Sequence, residues 1–409
     1  KEVTVCVIGG GQAGLSCGYQ LKQASLDYVI VDSTPGGGGA WSSHWPSLTL
    51  FSPGEYSAIA GDSSFRDDPA WLSRYPTGPE TAQYLRDYEV RHELSILRPA
   101  AVTDVKKEEG GFLVIYEDLE SSSGEKGVIS CRYVINCAGT FRSPWIPPVP
   151  GIETFPGKQI HSSQYKVPSD FEGLRVLLVG EGNSGAQIFA EVAPHCSGRV
   201  WCTSNEPSFY RDDVDGRILF DMAISYQMKV RQLAKRGITE QSVPKFKFSS
   251  IVMLDSVKKA RDTGYFDECR MPPLARIEGS TLVWAEDPTA LSCARQVPLC
   301  SIDGDFKPGT RLTAIEDVPE VKAEVDAIIW CTGFRPVMCH LQGLFDGEDP
   351  TKHIQRESES SIVPGLWFVG QGSFCGYGSG ALCSMDWFSS RTVGHIADDE
   401  EKRLAHASP

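Results

Sequence analysis

The sequence has no Cys-x-x-Cys pair, although it carries 13 cysteines among its 409 residues. Their number is odd and their spacing irregular, which argues against a zinc ribbon, an iron–sulfur cluster and a dithiol redox centre; no metal site is expected. Most sit beside apolar residues, the setting of reduced core thiols in a cytoplasmic protein. A basic excess is missing too. Lys plus Arg number 39 against 53 Asp plus Glu, a net charge of −14, and a mean field of that sign repels phosphate, which argues against nucleic acid and anionic membranes as partners. No apolar run approaches the roughly 18 residues of a membrane-spanning helix, and the opening residues lead into a strand pattern instead of a secretory h-region. What is plentiful is glycine. The 40 glycines are clustered, and clustered glycine marks backbone that approaches a ligand closely.

The first cluster follows Val5-Cys6-Val7-Ile8, an apolar run of the kind covered on both faces of a parallel sheet. Gly9-Gly10-Gly11-Gln12-Ala13-Gly14 fits G-x-G-x-x-G, a helix is expected over Leu15 to Lys22, and a second strand, Tyr28 to Val31, ends at Asp32. Each part has a task in a dinucleotide site. The glycine turn lets backbone approach a pyrophosphate, the helix N-terminus supplies N–H groups and positive dipole, and the carboxylate grips a ribose hydroxyl pair. Next come Gly36-Gly37-Gly38-Gly39-Ala40-Trp41, read either as a flexible loop or as backbone passing along a bulky cofactor, with Gly39, Ala40, Trp41 and His44 beside it. The glycine run alone does not separate FAD from NAD.

The pattern then repeats. Arg175 to Val179 is a buried-strand run, Gly180-Glu181-Gly182-Asn183-Ser184-Gly185 follows, and a helix carrying Gln187 is expected from Ala186 to about Val192. A third strand, Arg199 to Cys202, leads to Ser204 and Asn205. Two dinucleotide folds imply two dinucleotides, one tightly held and one that exchanges, and hydride transfer from a nicotinamide to a flavin is the simplest use. An acid at the end of that third strand favours NADH and an Arg favours NADPH; neutral Ser204 and Asn205 predict weak discrimination, with both coenzymes used.

Two later strands end in small residues, Tyr133 to Thr140 (with Ala138) and Ala327 to Pro336 (with Cys331, Thr332, Gly333 and Arg335). Both resemble the crossover segments of two-dinucleotide flavoproteins. Gly365 to Gly372 resembles their late strand, which carries Gly370 and Gln371 towards the flavin, and Gly376 to Ala381 is expected to open the following helix. Phe155-Pro156-Gly157-Lys158-Gln159-Ile160-His161-Ser162-Ser163-Gln164-Tyr165 is F-x-G-x-x-x-H-S-S-x-Y and resembles the identifying motif of class B flavin-containing monooxygenases. Tyr165 stands last, as in N- and S-oxygenating members. Further stretches, Gly38 to Trp41, Ser47 to Pro53, Asp212 to Arg217 and Trp330 to Pro336, are similar to a bacterial-type subgroup that includes arsenic-linked flavoprotein monooxygenases. The resemblance covers nearly the whole chain, with insertions near 118–127 and 285–323.

That resemblance implies NAD(P)H reducing FAD, oxygen adding at C4a, and the hydroperoxyflavin passing an oxygen atom to a sulfide, an amine or a small ketone. It also implies that Val102 presents backbone to the adenine. One departure stands out. Where eukaryotic-type members have Thr-Asn near the peroxide, this chain has Phe51 and Ser52, which are the candidate catalytic positions together with His161. The exchange favours a shorter-lived intermediate, so an uncoupled NAD(P)H oxidase is the alternative, and a non-catalytic flavin- or nucleotide-binding sensor is a third reading. His161 is read as an interdomain hinge with cofactor contact, and His44 as a flavin-edge hydrogen-bonder or a surface loop residue. Cys137 and Cys331 are read as small packing residues.

The fold expected is α/β, with two Rossmann-like dinucleotide-binding domains. The FAD domain comprises residues 1–166 and 324–409. The NAD(P)H domain, 167–323, is inserted in it and carries a helical insert near 206–280. A helix from Arg217 to Arg236 is expected to form a lid or the contact of a homodimer, and Asp398 to Arg403 reads as a solvated tail. The partners expected are a small-molecule substrate and O2.

Overall fold

The computed structural model describes residues 1–62, 69–121, 124–202, 215–234, 236, 251–266, 270–271, 273–284, 321–354, 358–375 and 380–407. The first apolar run does become a strand, Glu2–Ile8, at the centre of a seven-stranded sheet. It pairs in parallel with Tyr28–Val31, which pairs in parallel with Ile96–Leu97. On its other edge lies Lys126–Asn136, a strand with two partners in succession. Its first half runs antiparallel to Gly111–Asp118, itself antiparallel to Ala100–Glu108; its last residues run parallel to both Glu2–Ile8 and Leu366–Phe368. Alternation along Glu2–Ile8 sends Val5 and Val7 into a core with the helices Gln12–Gln23, Gly78–Arg91 and Met385–Ala407. Val3, Cys6 and Ile8 face the opposite core, beneath the antiparallel strands and Met338, Leu341 and Phe345. Both faces are covered, which is why the run is apolar throughout rather than alternating.

The second unit is a five-stranded parallel sheet in the order Arg270–Met271, Gly198–Cys202, Arg175–Val179, Ala327–Trp330, Lys158–His161. Val176, Leu178 and Ile329 pack on the helices Asn183–Val192 and Asp255–Asp262, while Leu177, Val179, Ile328 and Trp330 pack on a small antiparallel sheet, Arg276–Glu278, Thr281–Trp284 and Val321–Glu324. The architecture is the α/β pair of Rossmann-like units expected.

The expected domain limits and the strand pairing differ. Lys158–His161 and Ala327–Trp330 both hydrogen-bond within the second sheet, although limits at 166 and 324 place them with the FAD unit. Parallel pairing partners lie far apart in sequence, so a local reading assigns such a strand to its neighbour in the chain. We propose limits near residues 150 and 332 instead. Two helices also start earlier than expected, at Gln12 and Asn183, because each grows directly out of its glycine turn; their N-caps, Gly11 and Gly182, offer no side-chain cap. The late helix spans Met385–Ala407, after a short turn at Leu382–Ser384; residues 376–379 of the glycine cluster expected to open it lie outside the described residues. Its final part is anchored, not a free tail: Glu400 is buried and accepts from Arg132 at 2.6 Å and from Arg403 at 2.7 Å. The long helix of the insert spans Gly216–Ala234 and butts against Phe51 and Ser52 at Gly216. Among the described residues, no helix is long and apolar enough to cross a membrane.

Candidate functional site

A cavity of about 560 Å³ opens at the C-terminal ends of the first sheet's parallel strands, the place where open α/β sheets take their ligands. Gly9, Gly11, Gln12, Ala13, Asp32, Gly39, Ala40, Trp41, His44, Val102, Ala138 and Gly370 line it. Its glycines are forced. Gly9 has φ +104°, and a Cβ there would stand 2.5 Å from the Cys137 carbonyl oxygen; a Cβ on Gly14 would stand 1.8 Å from the Gly9 carbonyl oxygen, which closes the helix onto the strand. Gly39 lies against Gly11, where a Cβ would meet the Gly11 Cα at 2.8 Å. The glycine run after Asp32 thus covers the first cradle. Trp41 pins that cover by donating its indole N–H to Gln12 Oε1 at 2.9 Å, and Gln12 Nε2 donates to the Gly380 carbonyl at 2.7 Å.

Asp32 is buried and paired with a residue the motif does not contain. Arg98 Nε donates to Asp32 Oδ2 at 2.8 Å, and its Nη1 donates to both Glu89 oxygens, at 2.8 and 3.0 Å. Burial works against the charged guanidinium, but the hydrogen bonds and charges of Glu89 and Asp32 outweigh it and hold its pKa above the usual value. Arg98 Nη2 is buried without a hydrogen-bond partner, and a Cβ on Gly10 would stand 2.8 Å from it. A buried donor of this kind, backbone free of side chains and an uncapped helix N-terminus fit an anionic dinucleotide. The residues present therefore suit FAD.

Two imidazoles face the same cavity. Burial, followed by the nearby Lys166 charge, lowers His44 to a pKa of about 4, and its Nδ1 is buried without a partner. Its ring meets Trp41, Trp45 and Phe141 at 5.5, 5.7 and 4.6 Å. His340, also lowered to about 4 by burial, hydrogen-bonds Asn136 Oδ1 at 3.2 Å. Asn136 in turn donates to the Val337 carbonyl at 3.3 Å and accepts from the Ala138 N–H at 3.3 Å, which locks one crossover beneath the cavity. Gln371 donates to the Asn136 carbonyl at 3.1 Å and is fully buried behind the cavity wall.

The second cradle repeats the first. Gly180 has φ +114° with the Cys331 carbonyl oxygen 2.3 Å from a Cβ built on it, and a Cβ on Gly185 would stand 2.2 Å from the Gly180 carbonyl oxygen. At Gly182, however, a Cβ would meet nothing within 4 Å. Among the described residues, this helix N-terminus, including Ser184, has no cover equivalent to Gly39. Asn183 Oδ1 accepts from the Val252 N–H at 2.8 Å, and Gln187 is spent on Thr49, accepting from its N–H at 3.3 Å and donating to its carbonyl at 3.0 Å. Ser204 and Asn205 lie outside the described residues.

His161 is buried at the end of the edge strand Lys158–His161 with both ring nitrogens engaged, Nδ1 with the Ser163 N–H and hydroxyl and Nε2 with the Gly333 carbonyl at 2.9 Å. Burial lowers its pKa. Thr332 donates to the Trp145 carbonyl at 2.6 Å, and the Arg335 guanidinium lies 4.9 Å over the Trp145 ring, so this crossover is tied to the Pro-rich linker. His161, Phe51, Ser52, Cys331, Thr332 and Arg335 are not among the residues that line the first cavity. Sequence reasoning missed Arg98, His340 and Asn136. An arginine at a strand end beside Asp32 had a local signal only in the Arg98-Pro99 stop; the other two had none.

Two cradles of this design, the first of them covered by Gly39, define a flavoprotein that binds FAD and NAD(P)H. Residues 6–218 match the family described as pyridine nucleotide-disulphide oxidoreductase. A flavin-containing monooxygenase from Stenotrophomonas maltophilia is 32% identical over 97% of this chain and 99% of that chain, with a TM-score of 0.73. The uncharacterized oxidoreductase CzcO-like of Geobacillus kaustophilus is 37% identical over 47% of this chain and 51% of that protein. The senecionine N-oxygenase of Tyria jacobaeae is 26% identical over 50% of this chain and 49% of that protein. The chain thus spans about half the length of these two relatives. It belongs to the class B flavin-containing monooxygenases, within that wider pyridine nucleotide-disulphide oxidoreductase family.

Proposed function

We propose that this flavin monooxygenase uses NADPH or NADH to reduce its FAD and then inserts one atom of O2 into a soft nucleophile, a sulfide or an amine, with a small ketone as the lesser substrate class. The observation that carries the reading is the asymmetry of the two cradles: the first is covered by Gly39 and Trp41, whereas no described residue stands within 4 Å of a Cβ on Gly182 in the second. A covered site suits a resident group and an open one suits a donor that comes and goes. Bound FAD supplies the two-electron chemistry and the activation of O2. The chain does the rest. Asp32, held by Arg98, takes the ribose hydroxyls; Gly9 to Gly14 and the N-terminus of Gln12–Gln23 take the pyrophosphate; Val102 offers backbone to the adenine. Trp41, His44 and Gly370 stand on the flavin side, with Gln371 behind them, and burial keeps His44 and His340 neutral there. Gly180 to Gly185 take the nicotinamide dinucleotide, with Ser204 and Asn205 leaving the two coenzymes nearly equivalent. The cytoplasm is the compartment this reading assumes, from the cysteines.

Phe51 and Ser52 support a second outcome. With no carboxamide at either position, and with Ser52 buried against Gly216, reduced flavin is expected to lose part of its electrons as hydrogen peroxide. Anaerobic mixing of the yellow protein with each coenzyme, followed by oxygen and methyl phenyl sulfide, tests the reading. Bleaching with either coenzyme and sulfoxide formation are expected. A colourless protein that cannot be reconstituted with FAD would overturn it, and a preference of tens-fold for one coenzyme would overturn the assignment of Ser204 and Asn205.

A further inference from the structure

The segment Ser43 to Thr49 runs from the flavin-side residue Trp41 across to the second unit, and three side chains of that unit grip it. Lys166 donates to the Ser43 carbonyl at 2.6 Å, and Gln187 makes its pair of bonds to the Thr49 backbone. The strongest grip is Glu191. One carboxylate oxygen accepts from the Trp45 indole N–H at 3.3 Å and from the Ser47 hydroxyl at 2.8 Å; the other accepts from the Tyr165 hydroxyl at 2.9 Å. Gln187 and Glu191 are one helical turn apart and share a face of Asn183–Val192. That same helix presents its uncapped N-terminus to the second dinucleotide.

We infer that Glu191 is a positioning residue for hydride transfer: through Trp45 it fixes the His44–Trp41 wall of the flavin cavity at a set distance from the nicotinamide cradle. The path is short and made of contacts. The Trp45 ring is fully buried, lies 5.9 Å from Tyr165 on one side and 5.7 Å from His44 on the other, and His44 lies 5.5 Å from Trp41. Trp41 is itself bonded to Gln12 of the first cradle. A carboxylate accepting three neutral hydrogen bonds has a geometry that an apolar contact lacks, because each donor must keep its direction. Hydride transfer is sensitive to displacements well below 1 Å, so a loosened segment costs rate more than affinity.

The inference rests on the proposed NAD(P)H-to-FAD reaction, and the test separates the two. If the unmodified protein is yellow and bleached by NADPH or NADH, that reaction stands. In Glu191→Ala, the FAD content and the dissociation constant of the coenzyme should stay unchanged, while the limiting anaerobic reduction rate falls about tenfold and the visible circular dichroism of the bound flavin changes. Glu191→Gln, which keeps the shape and an acceptor, should restore most of the rate. Tyr165→Phe and Ser47→Ala each remove one donor without burying a bare group and should lose about two- to threefold in rate, which keeps the test open should Glu191→Ala fold poorly. A lower melting temperature with an unchanged limiting rate and an unchanged flavin spectrum across these variants would overturn the inference and reduce Glu191 to a structural tie. Failure of the unmodified protein to bleach would overturn the reaction, and the inference with it.

Discussion

The two nucleotide cradles are built by one local code and diverge in what surrounds it. In both, a glycine at φ above +100° abuts a crossover cysteine carbonyl, Gly9 against Cys137 and Gly180 against Cys331, and a later glycine lets the helix close on the first, Gly14 on Gly9 and Gly185 on Gly180. In both, the helix begins on an uncapped glycine. The differences lie between those fixed points. The first cradle has Gly10, packed against Asp32 and Arg98, where the second has Glu181; the first is lidded by Gly39, and no described residue covers the second at Gly182. The turn motif therefore makes an anion site, and a neighbouring segment covers the first of the two.

The largest expected effect breaks the symmetry of the pair. Gly14→Val should cost about 3 kcal/mol by overpacking and yield colourless protein, whereas Gly185→Val should remain yellow yet fail to bleach with NADPH or NADH. Absorbance at the flavin band and anaerobic titration distinguish them, and equal flavin loss in both variants would erase the division of labour. Acid should act chiefly on the first cradle. His44 and His340, with pKa values of about 4 against an ordinary 6.5, stay neutral in the folded chain while the unfolded chain takes up protons. Stability is then full above pH 6.5 and is lost as pH falls from there towards 4. At pH 5 the loss is about 2 kcal/mol for each imidazole, and His340→Gln should remove one such share from the difference between urea melts at pH 7 and pH 5. A slope unchanged by that substitution would contradict the assignment.

A smaller effect is expected at Asp32. Asp32→Asn deprives Arg98 of one of its two carboxylates and the ribose of its acceptor, and should weaken FAD binding about tenfold to a hundredfold, read by titrating flavin-free protein. Smallest of all is Gly182→Ala. With no described residue within 4 Å of the new methyl group, stability should hold within about 0.5 kcal/mol, while the KM for NADPH rises because the methyl group occupies the approach to the helix N-terminus. An unchanged KM would remove Gly182 from the second cradle.

What was legible in the chain is what neighbouring residues decide together. A β-branched run, a turn that only glycine can make and an acid after the next strand are short-range events, so both cradles, Asp32 and the two crossover segments could be read directly. The second domain's edge strand, Lys158–His161, could not be, since its partner Ala327–Trp330 lies far along the chain. Gln187 reads locally as a cofactor ligand on the cradle helix, yet its side chain is bonded to the backbone of Thr49.

Periodicity and glycine turns alone were enough for the α/β class and the paired dinucleotide sites, because backbone sterics and strand burial act over a few residues; the motif around His161 was legible only as a family resemblance. Arg98 locking Asp32, His340 buried on Asn136 and Glu191 holding Trp45 came only with the folded chain, because a buried charge or a polar side chain is satisfied by whichever groups packing brings within 3 Å or so, and sequence distance carries no record of that choice.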